Sequence, residues 1–346
     1  MIPTPYFDAD PVIAVERLEV AIKLPFGTLH AVSDVSFEVY AGETFCLVGE
    51  SGCGKTMSAL AIMQLLPHGA KARAGRLTFK GRDLLAMNEA QMAELRGNRI
   101  GMIFQDPLTA LNPVYTVGAQ LEEVYLRHRR ASRREARERA LHLLDRVGIM
   151  APRMRLDQYP HQLSGGLRQR IMIAMMLMCE PALLIADEPT TALDVTVQVQ
   201  ILQLLARLQR ESKLALILIT HNLGVVSRIA DRVAVMYGGQ IVETGSAAEV
   251  FARPLHPYTR GLLACMPERG ERGRTRRLGS IPGLVPSLVG ATTGCIFRNR
   301  CAQAMPQCAL GQIPVRRQSE TQSVRCVMTA PNLAPAAIER DAGAAA

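Results

Sequence analysis

The stretch TFCLVGESGCGKT, residues 44–56, leaves a chain few ways to fold. Its first six residues are a short apolar run ending in glycine, the pattern of a strand buried on both faces. From Gly49 onward, GESGCGKT fits the spacing G-x-x-x-x-G-K-[ST]. A helix is expected from about Lys55 to Leu66, where Pro67, His68 and Gly69 stop it. Strand, glycine loop and helix start together make a phosphate cradle. Glycines let backbone N–H groups turn inward around a β-phosphate, and the helix N-terminus adds positive potential. Gly49, Glu50, Ser51, Gly52, Cys53 and Gly54 form the loop, Lys55 reaches the β- and γ-phosphates, and Thr56 offers a hydroxyl to Mg²⁺.

The rest of the chain supplies the sheet such a loop needs. Residues 12–22 and 34–40 alternate as strands do, while ALLIAD (182–187) and LALILIT (214–220) read as further buried strands. VTVQVQILQLLARLQRES (195–212) is an amphipathic helix, and RVAVMYGGQIVETG (232–245) is a hairpin turning at Gly238 and Gly239. Strand and helix alternation implies an α/β fold with a parallel sheet covered by helices. Residues from about 88 to 180, rich in Arg, Met, Glu and Leu, read as a mainly helical insertion. After residue 255 proline, glycine and arginine rise and a separate C-terminal segment is expected to begin, with residues 333–346 disordered.

At 346 residues the chain has room for two domains or more. Its net charge of +9 suits nucleic acid, an anionic membrane surface or a phosphate ligand without choosing among them. RHRRASRREARER (127–139) is interleaved with acids and reads as a solvated helix face, and ERGERGRTRR (268–277) as a linker. The start, MIPTPYFDADP, has neither a basic nor an apolar leader region, and the longest apolar run, IMIAMMLMC (171–179), is half a membrane span. A cytoplasmic protein, reaching a membrane only through partners, is expected. In a reducing compartment its eight cysteines are not a disulfide framework.

LLIADE (183–188) brings two acids to the sheet edge. Asp187 can hold Mg²⁺ directly or through water, and Glu188 can face an attacking water as general base. LSGGLRQR (163–170) then resembles the signature motif of ABC ATPases. The order of elements agrees with that family: Phe26 where the adenine-stacking aromatic is placed, the phosphate loop, Gln105 in FQDP (the Q-loop), the signature, Asp187 and Glu188, TALD (191–194, the D-loop, ending in Asp194), and His221 (the switch histidine). Leu167 stands where Gln or Met is commoner in the signature, a change expected to be harmless. The resemblance implies a RecA-like core sheet with an N-terminal antiparallel β subdomain and a helical subdomain. It also implies that Ser164, Gly165 and Gly166 face the γ-phosphate bound by an opposite subunit in a head-to-tail pair. Glu188 then activates water, His221 stabilises the γ-phosphate and transition state, and Gln105 senses Mg²⁺ and the transporter.

FQDPLTALNPVYTVGAQLEE (104–123), LHPYTRGLLACMP (255–267) and IPGLVPSL (281–288) narrow the resemblance to the oligopeptide/dipeptide/nickel importer ATPases, over nearly the whole chain. A nucleotide-binding domain at 10–254 and an importer-type extension at 255–332 follow. The implied partners are a second, similar ATPase, two membrane permeases and, indirectly, an extracytoplasmic peptide-binding protein; nucleic acid is not among them. A soluble ABC ATPase working on DNA or ribosomes is the rival class, and nickel, glutathione or another small solute are rival cargoes.

Cys295, Cys301, Cys308 and Cys326 cluster in the tail without a C-x-x-C pair. Zinc sites usually want that close pair, whereas a [4Fe–4S] cluster is larger and tolerates looser spacing. An iron–sulfur cluster, zinc and free thiols all stay open. The pattern resembles a cysteine tail of the importer family for which a [4Fe–4S] cluster is implied in some members. Arg298, Arg300 and Arg325 lie where they could offset thiolate charge.

Overall fold

The computed structural model describes residues 10–105, 110–191, 193–266, 280–286, 288–290 and 293–328. The linker expected at 268–277, the tail at 333–346, and parts of the Q-loop and D-loop (106–109 and Ala192) lie outside these residues.

The chain opens with a long antiparallel hairpin, β1 (Ile13–Leu24) and β2 (Gly27–Val39), followed by the buried strand β3 (Thr44–Val48) and helix α1 (Lys55–Ile62). Three short strands, β4 (Ala70–Arg73), β5 (Arg76–Phe79) and β6 (Arg82–Asp83), complete a five-stranded antiparallel sheet around β1. Then come α2 (Glu89–Leu95), β7 (Ile100–Ile103), α3 (Val117–His128), α4 (Arg133–Arg146), α5 (Pro152–Leu156) and α6 (Gly165–Met176). The core resumes with β8 (Leu183–Asp187), α7 (Val195–Ser212), β9 (Ala215–Thr220), α8 (Leu223–Ile229), β10 (Arg232–Tyr237) and β11 (Gln240–Ser246). Helices α9 (Ala247–Ala252) and α10 (Pro257–Ala264) lead to the two-residue strands β12 (Arg316–Arg317) and β13 (Ser323–Val324).

The second sheet has eight strands in the order β12-β13-β11-β10-β3-β9-β8-β7, and the five from β10 to β7 are parallel. Their unbroken apolar sequences follow from double-sided burial. Alternation then divides each strand between two cores. Cys46, Val48, Leu184 and Ala186 face the helical block, while Phe45, Leu47, Ile185 and Ile217 face the antiparallel sheet. A buried ion pair ties that antiparallel sheet to the core: Arg232 Nη1 lies 2.9 Å from Glu43 Oε1 and donates to the Glu38 carbonyl at 3.1 Å. Removing one partner of such a pair costs about 3–5 kcal/mol.

Several expectations are adjusted. The block from 88 to 180 is mainly helical, as expected, but not purely so: Ile100–Ile103 is the edge strand of the parallel sheet, paired with β8. Its four residues, IGMI, are all buried, too short a run to stand out among helix formers. Nor is the C-terminal segment separate. Glu243 pairs with Val324 and Thr244 with Ser323, so β13 extends the core sheet beyond β11. Helix α1 ends at Ile62 rather than at the expected Leu66, so it is not the proline that stops it, and β2 begins at Gly27 rather than at residue 34. The basic run supplies the capping box of α4, in which Ser132 and Glu135 satisfy each other's backbone N–H groups, and Ala136, Ala140, Leu143 and Leu144 form its buried face. Gly238 and Gly239 both have positive φ, as the tight turn between β10 and β11 demands. No helix of the described residues is long and apolar enough to cross a membrane.

Candidate active site and nucleotide cradle

The cradle sits at the C-terminal edge of the parallel sheet, where β3 runs into the glycine loop. Gly49 and Gly54 are required there twice over. Their φ angles are 155° and 101°, and a Cβ on Gly49 would collide with the Met236 carbonyl, one on Gly54 with the Ala31 carbonyl. Lys55 is buried at the start of α1, and its Nζ donates to the carbonyls of Gly49 and Glu50, both at 2.9 Å. The loop therefore curls around its own lysine. The Cys53 sulfur lies 3.7 Å from that ammonium, and burial raises its thiol pKa.

Asp187 ends β8 beside the loop, and Thr56 Oγ1 donates to its Oδ1 at 3.2 Å across 131 residues of sequence. Burial pushes the Asp187 carboxyl up, Glu188 adds to that, and Thr56 and Lys55 pull the other way. A hydroxyl and a carboxylate held together suit a hard divalent cation such as Mg²⁺, which takes oxygen ligands. This oxygen pair fits the ion expected from the sequence.

Glu188 has a φ of +44°, the left-handed region that a non-glycine residue enters only at a cost. Its N–H donates to the Ile219 carbonyl at 2.9 Å, which fixes the turn against β9. Three groups from three loops meet at one oxygen of its side chain. Gln105 Nε2 donates to Oε2 at 3.4 Å, Thr191 Oγ1 at 3.1 Å, and His221 Nδ1 lies 3.4 Å away. A carboxylate oriented in this way is equipped to accept a proton from water. The sequence motifs singled out Gln105, Glu188 and His221 but gave Thr191 no role, although it opens the TALD motif.

The remaining expected residues lie apart from this cluster. Phe26 sits in the tight turn joining β1 to β2 and is 75% exposed, a free aromatic face. Ser164 caps α6, its Oγ accepting from the Leu167 N–H at 3.4 Å, and Asp194 caps α7, accepting from the Val197 N–H at 2.9 Å. A Cβ on Gly165 would stand 3.3 Å from Leu193, and one on Gly166 would stand 3.0 Å from Val197, so the signature packs against the D-loop and the first turn of α7. Among the described residues, no hydrogen bond or ion pair joins Ser164, Gly165, Gly166 or Asp194 to the phosphate loop. The signature residues Ser164 and Gly165 are exposed.

Residues 32–191 match the ABC transporter family, and residues 242–308 match the oligopeptide/dipeptide transporter C-terminal region. The dipeptide transport ATP-binding protein DppD of Bacillus subtilis (strain 168) is 50% identical over 316 residues, 91% of this chain and 94% of its own. The chain belongs to the ATP-binding subunits of the oligopeptide/dipeptide ABC transporter family. The DppD protein of Escherichia coli (strain K12) is 46% identical over 311 residues, covering 88% of this chain and 94% of its own. In three dimensions this ABC ATPase is similar to the dimeric, post-hydrolysis ATP-binding cassette MJ0796 bound to ADP and Pi. The TM-score is 0.61 at 26% identity, over 68% of this chain and 98% of that one. It is also similar to cbiO1 of Clostridium perfringens, part of an ABC transporter complex, with a TM-score of 0.61 at 30% identity over 71% of this chain and 92% of that one.

The extension of this ABC ATPase carries Cys295, Cys301, Cys308 and Cys326 as free thiols. The Cys295 N–H donates to the Cys308 carbonyl at 2.7 Å, joining two of the segments that bear them. The Cys295 thiol is pushed up to about 11, chiefly by burial, with the Phe297 backbone pulling down and Cys308, Cys326 and Cys301 adding to the rise. Among the described residues no three His, Cys, Asp or Glu side chains are arranged to hold a metal ion. The arginines do not serve as counter-charges to the thiols as expected. Arg325 places Nη2 2.9 Å from Asp34 Oδ2, Arg300 pairs with Glu50, and Arg298 donates to the Thr293 carbonyl. Sequence reasoning missed both ion pairs, since their partners are 291 and 250 positions away.

Proposed function

We propose that this chain is the ATP-hydrolysing subunit of an importer for di- and oligopeptides. Glu188 carries the reading: one carboxylate oxygen gathers Gln105, Thr191 and His221 beside the Lys55, Thr56 and Asp187 cradle. In this account Gly49 to Thr56 hold the triphosphate, Phe26 stacks on the adenine, and Thr56, Asp187 and Gln105 hold Mg²⁺. Glu188 takes the proton of the attacking water, and His221 stabilises the transferred phosphoryl group. Ser164, Gly165 and Gly166 at the start of α6 bind the γ-phosphate held by a second, homologous ATPase, with Asp194 beside them. The pair works at the cytoplasmic face of the membrane, peripherally, under two permeases served by an extracytoplasmic binding protein. Residues 10–254 form the nucleotide-binding domain and 255–332 the importer-type extension.

The four thiols suit a [4Fe–4S] group by donor type and number, but among the described residues no three of them are arranged to hold a metal ion. Such a group would tie Cys295, Cys301, Cys308 and Cys326 into one structural clip. Iron, zinc and acid-labile sulfide assayed on anaerobically purified protein test it. About four iron and four sulfide per chain support the cluster, and their absence from an active preparation contradicts it.

Function is tested with the chain, its partner ATPase and both permeases reconstituted in lipid. ATPase activity should rise with a peptide-loaded binding protein and stay unchanged with DNA or RNA. Stimulation by nickel, glutathione or nucleic acid instead of peptide would overturn the cargo.

A further inference from the structure

We infer that Arg300 is a positioning residue for the phosphate loop, through which the folded cysteine segment sets nucleotide affinity. Arg300 immediately precedes Cys301, yet its guanidinium reaches Glu50, the second residue of GESGCGKT. The pair is bidentate, with Nη1 2.7 Å from Oε2 and Nη2 3.1 Å from Oε1. The Arg300 side chain is 6% exposed and the Glu50 side chain 26%, so the pair is only partly screened by solvent. Other contacts fix the arginine. Nε donates to the Pro282 carbonyl at 2.9 Å, Nη2 to the Ile281 carbonyl at 3.0 Å, and the guanidinium carbon lies 5.7 Å from the Tyr237 ring centre.

The extension grips Glu50 a second time. The Glu50 N–H donates to Tyr258 Oη at 3.0 Å. Tyr258 packs against Tyr237 and Phe297, with ring centres 4.6 Å and 5.4 Å away, and Phe297 lies three residues before Arg300. Meanwhile the Gly49 carbonyl, across the same peptide bond, accepts from Lys55 Nζ at 2.9 Å. One peptide unit is thus shared between the phosphate-binding lysine and the extension, and it cannot shift without moving both.

Charge gives the arrangement its purpose. A carboxylate in a loop that binds a polyanion opposes its ligand. Arg300 neutralises Glu50 and holds it in a fixed geometry. The inference rests on nucleotide binding at this loop, not on whether the thiols hold a metal.

The test uses full-length chain and a fluorescent ATP analogue, with thermal unfolding measured in parallel. Arg300→Met keeps the stem but exposes the Glu50 charge, and should weaken binding about tenfold, the size of one charge-assisted hydrogen bond. Glu50→Gln combined with Arg300→Met should recover most of the loss, because the repulsion is gone. Wild-type affinity in a folded Arg300→Met protein, or a double variant no tighter than that single one, would overturn the inference. A second measurement needs no variant. Linkage is reciprocal, so ATP must slow hydrogen exchange at the amides of residues 294–301 in the wild-type chain. Equal exchange with and without a saturating nucleotide would contradict the coupling. Failure of the wild type to bind the analogue would instead count against nucleotide binding at the loop.

Discussion

The phosphate loop and the signature helix are both glycine-rich helix starts, but the chain treats them differently. Around the loop it satisfies its own groups: Lys55 is bonded to two carbonyls, Thr56 to Asp187, and Glu50 to Tyr258 and Arg300. At the signature, Ser164 caps α6 and, among the described residues, makes no bond to the phosphate loop, and Ser164 and Gly165 stay exposed. One helix start is tied into its own chain through the buried Lys55. The other presents its glycine-rich end to solvent. On the function proposed above, the difference is what a two-subunit ATP site needs, whose second contribution is not found by looking near the first.

The comparison is broken most forcefully at Glu188. Glu188→Gln keeps the hydrogen-bonding shape but cannot take a proton, so turnover at this site should fall by about 10²–10⁴ while ATP stays bound. Single-turnover hydrolysis with a filter-binding control measures both. Ser164→Asp attacks the other side. Aspartate caps a helix as well as serine, so unfolding stability should change by less than about 0.5 kcal/mol. Its charge would oppose a γ-phosphate, and activity at the site that uses this signature should fall about 10²-fold, as when one oxyanion donor is lost. Unchanged activity would show that the exposed signature has no nucleotide to meet.

Smaller effects sharpen the picture. Gly54→Ala forces a side chain into a φ of 101° and against the Ala31 carbonyl. It should destabilise the chain by about 1–3 kcal/mol, read as a lowered denaturant midpoint. Asp187→Asn should act in the opposite direction on the empty protein. Burial raises the folded pKa of Asp187 above its unfolded value, so its ionised form is the costly one. The disadvantage of Asp relative to Asn is therefore absent below the ordinary aspartate range and appears as pH rises through the raised value. Thermal unfolding without Mg²⁺ should show Asp187→Asn slightly more stable at neutral pH, and Mg²⁺-dependent turnover should be lost.

What the sequence made legible was local. Residues 195–212 were expected as a helix and are one, with Asp194 as its cap, because period, cap and length agree within a single window. The Gly238 and Gly239 turn was legible for the same reason. The short strand Ile100–Ile103 was not, since four apolar residues carry too little periodicity to separate strand from helix. In the site, motifs named Lys55, Glu188, Gln105 and His221, but the links from Arg300 to Glu50 and from Arg325 to Asp34 were hidden. Each joins ends of the chain that no local pattern relates, and each arginine sits beside a cysteine that offered a nearer, incorrect explanation.

The most direct test of a composite site is ATP-driven pairing. Glu188→Gln chain is mixed with its partner ATPase and followed by sedimentation velocity with Mg²⁺ and ATP, then with ADP. The account requires a stable two-ATPase species with ATP and separate subunits with ADP, and loss of that species when Ser164→Asp is added although ATP still binds the phosphate loop. Pairing that persists with Ser164→Asp, or that ignores the nucleotide, would contradict it.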